Sequence, residues 1–131
     1  MIVIDASVLV VGLCDDGGHG LAARRRIADE RLVAPHLVDV EVVSAWRRLV
    51  SAGEIPPARF ERALEDLDAL RIERVPHGGL LGRCWELRDN LTVYDAVYVA
   101  LAERLGMALL TLDRRLAAAP GTRCEIEVLS P

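Results

Sequence analysis

The chain has 131 residues and a mass of 14.3 kDa, the length of one domain, so residues 1–131 are expected to form a single folding unit. Hydrophobic residues make up 52% and charged residues 27%, which excludes intrinsic disorder, and a domain of this size buries most of its apolar surface without covalent staples. No apolar run reaches the roughly 20 residues of a membrane span, and Met1 to Val11 carries Asp5 and lacks a basic leader, so a cytoplasmic location follows as the expectation.

Cys14, Cys84 and Cys124 are far apart and odd in number; they form neither a disulfide framework nor a CxxC metal site, and they read as small reduced core residues. All 16 basic residues are arginine. The absence of lysine excludes Schiff-base chemistry, a P-loop lysine and the lysine of a phospho-receiver domain. Net charge is −4 and the isoelectric point is about 5.4, so there is no generic basic surface for nucleic acid. Binding of a polyanion has to use local arginine patches or a metal site.

Ile2 to Ile4 is an apolar β-branched run and reads as a buried strand. Ala6 to Leu13 predicts a short helix. Gly17 to Gly20 reads as a flexible loop, followed by a helix over Leu21 to Glu30. Leu32 to Ala34 is a short strand stopped by Pro35. Val38 to Ala52 carries Val42, Ala45, Trp46, Leu49 and Val50 at helical spacing, and Gly53 closes it. Pro56 or Pro57 opens a helix that runs to about Leu70. Arg71 to Val75 alternates like a strand, and Leu80 to Arg88 is helical. Val93 to Leu105 is a long apolar helix with Gly106 as its stop. Ala108 to Leu112 is a strand, Arg114 to Ala119 a helical turn or two, and Glu125 to Leu129 a last strand. Strands alternating with helices predict an α/β fold, a parallel sheet covered by helices on both faces.

Four acids stand in apolar frames, whereas most acids of the chain sit in polar surroundings. Asp5 follows Ile2-Val3-Ile4; Glu41 lies in Val38-Asp39-Val40-Glu41-Val42-Val43; Asp95 lies in Thr92-Val93-Tyr94-Asp95-Ala96-Val97-Tyr98; Asp113 follows Leu109-Leu110-Thr111-Leu112. Asp5 and Asp113 fall at the C-terminal ends of strands, and Glu41 and Asp95 in the first turns of helices. In a parallel sheet these places share one edge, where such folds bind ligands. Clustered carboxylates repel and cost several kcal/mol to bury without compensation. An all-oxygen set suits a hard divalent cation such as Mg²⁺ or Mn²⁺. Each acid also has a plainer role: Asp5 and Asp113 as helix caps, Thr92 and Asp95 as a capping pair, Glu41 as a partner of a helix dipole. Those roles explain the acids one at a time and leave their shared edge unexplained.

At these residues the sequence resembles the PIN-domain nucleases. Ile2-Val3-Ile4-Asp5-Ala6-Ser7-Val8-Leu9 looks like the family's opening motif, and Val40-Glu41-Val42-Val43-Ser44-Ala45 like its glutamate-bearing second. Tyr94-Asp95-Ala96-Val97-Tyr98-Val99-Ala100-Leu101-Ala102 is similar to the third, and Leu110-Thr111-Leu112-Asp113-Arg114-Arg115-Leu116 to the fourth. Length and motif order are most like the VapC toxins of bacterial toxin–antitoxin pairs. The resemblance implies a three-layer α/β/α fold around a parallel sheet of four or five strands. It implies an endoribonuclease using one or two Mg²⁺ or Mn²⁺ ions, a homodimer, and inhibition by a small antitoxin whose tail enters the catalytic groove. Asp5, Glu41, Asp95 and Asp113 take the places of the acidic quartet. Asp5 and Asp95 are the expected main metal ligands, Glu41 and Asp113 bind directly or through water, and Ser7 and Thr111 hydrogen-bond carboxylates or water behind them. The chemistry that follows is in-line attack of water on the scissile phosphorus, leaving a 5′-phosphate and a 3′-hydroxyl.

For RNA, Arg24-Arg25-Arg26, Arg47-Arg48 and Arg114-Arg115 are the local cationic candidates. Arg114 and Arg115 directly follow Asp113 and are placed to reach a phosphate; the first two clusters read better as solvated helix faces. Trp46 and Trp85 read as core or interface, and Tyr94 and Tyr98 as packing residues beside the site helix. His19, His36 and His77 fall in loops or at element ends with no recognisable pairing, which argues against a 2′-hydroxyl nucleophile and a histidine pair. A non-catalytic PIN-like module that holds RNA or a partner is the alternative, and it requires a degraded acidic set. A phosphatase with Asp5 as nucleophile lacks both a lysine and a second aspartate at Ser7. A purely structural subunit leaves the acidic edge without a reason.

Overall fold

Short β-branched and leucine-rich runs make the sheet, and their burial fixes its place. In the structure, a computed structural model describing residues 1–130, the strands are β1 (Ile2–Ile4), β2 (Leu32–Pro35), β3 (Ile72–Val75), β4 (Leu109–Thr111) and β5 (Ile126–Val128). All neighbours pair in parallel, in the order β3-β2-β1-β4-β5. Every residue of β1, β2 and β4 is buried, as a sheet covered on both faces requires. The strands at the two edges, β3 and β5, are only partly covered. Strand order reverses between β1 and β4, which makes the cleft beyond their C-terminal ends the topological switch point.

The helices are α1 (Ala6–Cys14), α2 (Gly18–Ile27), α3 (Leu37–Ser51), α4 (Pro57–Ala69), α5 (Leu81–Glu86), α6 (Val93–Leu105) and α7 (Arg114–Ala118). The architecture is the expected three-layer α/β/α one, with five strands. Helix α6 is the central element: every residue from Ala96 to Leu101, and Ala102 after them, is buried, and the helix packs on β1, β2 and β4. Gly106 ends it at φ 64°, where the Met107 amide reaches back to the Ala102 carbonyl at 3.0 Å. Among the described residues no helix is long and apolar enough to cross a membrane.

The start of α2 differs from the sequence expectation. The glycine run is not a loop, because Gly18, His19 and Gly20 open α2. The Asp15 carboxylate accepts the Gly17 and Gly20 amides, both at 2.9 Å, and so supplies the cap that starts the helix. Gly20 is required there: a Cβ would lie 1.8 Å from the Asp15 carbonyl oxygen.

Without lysine, the ion pairs between described side chains are made by arginine, several of them as two-pronged forks, and the N-terminal ammonium adds one to Glu30 at 3.1 Å. Arg26 of α2 grips Glu127 of β5 with two bonds of 2.8 Å, Arg74 of β3 grips Asp39 of α3 at 2.6 and 2.8 Å, and Arg83 of α5 grips Glu103 of α6 at 2.8 and 3.0 Å. These pairs are partly solvated, so each contributes about 1 kcal/mol or less and serves mainly to set geometry. Arg24 and Arg59 take up the carbonyls at the C-terminus of α1, from Gly12 and Asp15 and from Leu13 respectively.

Helix α3 starts on an unexpected group. His36 and His77 meet edge to face with ring centroids 6.1 Å apart, and His77 Nε2 accepts the Leu37 amide at 2.9 Å. His77 is thus paired after all, as a cap holding the first amide of the helix that carries Glu41. His77→Ala is expected to destabilise the protein by about 1 kcal/mol, the usual value of a helix cap, measured by urea unfolding. His36→Ala, at an exposed ring, is expected to stay within about 0.5 kcal/mol of the parent.

Candidate active site

Asp5 ends β1 and occupies the N-cap position of α1. Among the described residues it is one of two buried polar ones, 8% exposed; the other is Thr111, fully buried. Thr111 Oγ1 donates to Asp5 Oδ2 at 2.8 Å and accepts the Asp113 amide at 3.0 Å. Ser7 Oγ donates to the same Asp5 oxygen and accepts the Leu112 amide at 3.1 Å. Two hydroxyls therefore stitch the ends of β1 and β4 together through one carboxylate. Asp5 makes no side-chain cap bond to its own helix, so the plainer capping role does not describe it.

Asp113 does cap its helix: its Oδ1 accepts the Arg115 amide at 2.9 Å, and the Arg115 guanidinium lies at 3.3 Å. Burial opposes its charge, but the Arg115 bonds outweigh burial and hold its carboxyl below the usual range. Arg115 is 92% exposed in its side chain and is spent on Asp113, and Arg114 is exposed beside it. Asp95 stands in the first turn of α6, its amide bonded to the Thr92 hydroxyl at 3.2 Å. Burial pushes its carboxyl up; Thr92 opposes this, and the charges of Asp5 and Asp113 add to the rise. Glu41 lies in the second turn of α3. Burial raises its carboxyl too, with Asp5 and Asp95 adding to the effect and Tyr98 opposing it, and its Oε1 is buried with no partner.

Asp95 therefore feels the charges of Asp5 and Asp113, and Glu41 those of Asp5 and Asp95, across the switch-point cleft. They do not converge on a point: among the described residues no three acidic, histidine or cysteine side chains form a closed ligand set. Nor do they line the large groove of about 1030 Å³, which lies among α1, α2 and α4 beside Leu13, Arg24, Arg59, Arg62 and Asp66. The site is an open, all-oxygen edge with one unpartnered buried carboxylate oxygen, two carboxyls of raised proton affinity and little compensating positive charge. That donor set fits a hard divalent ion that keeps most of its waters and takes one or two direct carboxylates.

Other candidates are sorted by the structure. Arg24 and Arg26 are tied into helix ends and ion pairs, while Arg25, Arg47 and Arg48 are exposed. Trp46 is core, fully buried and edge to face with Phe60. Trp85 is not core: it is 65% exposed with the Arg88 guanidinium 4.5 Å from its ring centre. Tyr94, expected to pack, is 62% exposed because it sits on the outer side of the first turn of α6. Tyr98 is wholly buried, and its hydroxyl faces the acid cluster rather than hydrocarbon. The sequence signal for it is spacing: Tyr98 follows Asp95 by three residues, on the same helix face.

Comparison with known proteins agrees with the fold. The PIN-domain family model matches residues 2–121. A Mycobacterium tuberculosis protein named ribonuclease VapC9 is 46% identical over 129 residues, which is 98% of each chain. Among solved structures, PAE2754 from Pyrobaculum aerophilum aligns over 97% of this chain and 83% of its own, at 30% identity and a TM-score of 0.69. One chain of a toxin–antitoxin complex from Klebsiella pneumoniae shares the fold at 16% identity, with 98% of this chain and 97% of its own covered and a TM-score of 0.64. Fold and near-full-length similarity coincide, and the chain belongs to the PIN-domain family, in its VapC group.

Proposed function

We propose that the protein is a Mg²⁺- or Mn²⁺-dependent endoribonuclease acting as the toxin of a toxin–antitoxin pair. The observation that carries this reading is the uncompensated carboxylate edge at the switch point. The relatives' names support ribonuclease and toxin roles; the Klebsiella complex suggests a cognate antitoxin as partner. A homodimer belongs to the same reading, and the exposed Val40, Leu81, Trp85, Val93 and Tyr94 are apolar surface available to it.

In this reading Asp5 and Asp95 hold the ion, with Glu41 and Asp113 binding directly or through water. A bound divalent cation supplies Lewis-acid polarisation of the phosphoryl group and lowers the pKa of water. The chain's residues supply the rest. Ser7 and Thr111 fix Asp5 by two donated hydrogen bonds, so its free oxygen keeps one orientation. One carboxylate of the edge takes the proton of the attacking water. Arg114 is free to meet an RNA phosphate, and Arg115 does so by exchanging its bond to Asp113.

The first test is cleavage of a panel of structured RNAs in Mg²⁺, Mn²⁺ or EDTA, with Asp95→Asn in parallel. Cutting is expected with either ion, absent in EDTA, and reduced at least about a hundredfold in Asp95→Asn, the upper end of what even outer ligands cost. Equal cutting by both proteins would remove Asp95 from the centre. No cutting by either, with metal bound, would favour the non-catalytic RNA- or partner-binding module.

The raised carboxyls predict a pH dependence. Glu41 and Asp95 bind protons more tightly in the native state than in the unfolded chain. Between the ordinary carboxylate values and the raised native ones, the native state carries the extra protons, so stability of the metal-free protein falls as pH rises through that window. Glu30, Glu103, Asp113 and Glu127 are held below the usual range by their arginine partners, and what they contribute is lost only at lower pH. Glu41→Gln is therefore expected to raise the melting temperature in EDTA at pH 7 and to flatten the decline. An unchanged profile by scanning calorimetry would show that Glu41 is an ordinary surface acid.

A further inference from the structure

The buried run of α6 is hydrocarbon apart from one atom. Ala96, Val97, Val99, Ala100, Leu101 and Ala102 need no partners, but Tyr98 brings a phenol oxygen into the same fully buried layer. Packing alone requires only the ring, and a buried hydroxyl left unbonded costs about 1–3 kcal/mol. The Tyr98 oxygen is in that state: it is buried and no contact has closed to hydrogen-bond geometry. Glu41 Oε1 is in the same state. The two orphans face each other, with the Ala6 amide and the Asp5 carboxylate beside the phenol.

The chemistry of the three groups is complementary. A carboxylate only accepts, an amide only donates, and a phenol does both. The Ala6 amide is the first N–H of α1 and has no carbonyl within its helix to serve. On α3, the Arg48 guanidinium is exposed and bonded to Ser44, so Tyr98 is the donor facing the buried side of Glu41.

We propose that the Tyr98 hydroxyl is a positioning group for Glu41, accepting from the Ala6 amide and donating to the Glu41 carboxylate, so that the outer carboxylate oxygen is held towards the switch-point cleft. The phenol thereby links the corner that carries Asp5 to the helix that carries Glu41. Tyr98 touches neither substrate nor metal; it acts through Glu41. The inference deepens the metal-dependent reading above and rests on it for its functional consequence, though not for the contact itself.

The test is Tyr98→Phe, which removes one oxygen and keeps the ring. In metal-free protein labelled with carbon-13 glutamate, the Glu41 carboxyl resonance, assigned by its loss in Glu41→Gln, is expected to move in Tyr98→Phe while the other glutamates stay in place. Mn²⁺ affinity by calorimetry is expected to fall about tenfold, and to fall no further when Tyr98→Phe is added to Glu41→Gln. With RNA, kcat is expected to drop by a similar factor with KM held within about twofold, a split that a general loss of packing would not give. Should Tyr98→Phe fail to fold, the reciprocal measurement serves: the Tyr98 ring carbon bearing oxygen, labelled in the parent, shifts in Glu41→Gln. A Glu41 resonance that stays put in Tyr98→Phe, or a Tyr98 resonance that stays put in Glu41→Gln, overturns the proposal. A moved resonance in a protein that neither binds Mn²⁺ nor cuts RNA upholds the contact and sinks the metal-dependent reading instead.

Discussion

The Thr111 hydroxyl holds together two strand ends that sequence separates by more than a hundred residues. It donates to Asp5 and accepts from the Asp113 amide, so β1, β4 and the start of α7 share one buried atom. Ser7 repeats the arrangement from the other side, between Asp5 and the Leu112 amide. Because both hydroxyls end on one carboxylate, Asp5 is satisfied although nearly buried, and the crevice between β1 and β4 has a fixed width. Every other functional side chain is placed relative to that crevice: Asp113 by the turn after β4, Asp95 by α6 lying across the sheet, and Glu41 by α3 rising from β2.

The four acids therefore share an edge but not an electrostatic condition. Asp5 is bonded by hydroxyls, Asp113 is paired with arginine and pulled down, and Asp95 and Glu41 are pushed up by burial. The all-arginine composition contributes to this. Arginine forks consume Asp39, Glu103 and Glu127 in ion pairs at the periphery, while no arginine among the described residues reaches across to pair with Asp5, Glu41 or Asp95 at the switch point.

Much of this was legible in the sequence, for identifiable reasons. Apolar runs such as Ile2–Ile4 and Leu109–Leu110 can only be buried strands, and an acid at the end of such a run falls at the sheet's C-terminal edge whatever the details. The alternation of strands and helices then dictated a parallel sheet, and reversal of strand order is what collected the acids. The failures are equally specific. Gly17 to Gly20 read as a loop because the cap is supplied from outside the run, by Asp15. His77 and Leu37 meet only because β2 and β3 are neighbours, a contact that no local pattern encodes. Tyr94 and Tyr98 carry the same residue type in one helix, and only packing decides that the first is exposed and the second buried beside Glu41.

Parallel topology also explains why Glu41 differs from the other three. Helices that follow parallel strands begin at the ligand edge, so their N-terminal amides offset negative charge there. Asp5 and Asp113 sit at N-cap positions, and Asp95 is the third residue of α6, all within the first turn where that effect acts. Glu41 is the fifth residue of α3, past the last unbonded amide, and the start of that helix is already served by His77. Helix geometry gives three of the acids a share of backbone charge and gives Glu41 none. A donor for its buried oxygen must come from another element, and α6 brings one oxygen to the buried side of Glu41: the phenol of Tyr98.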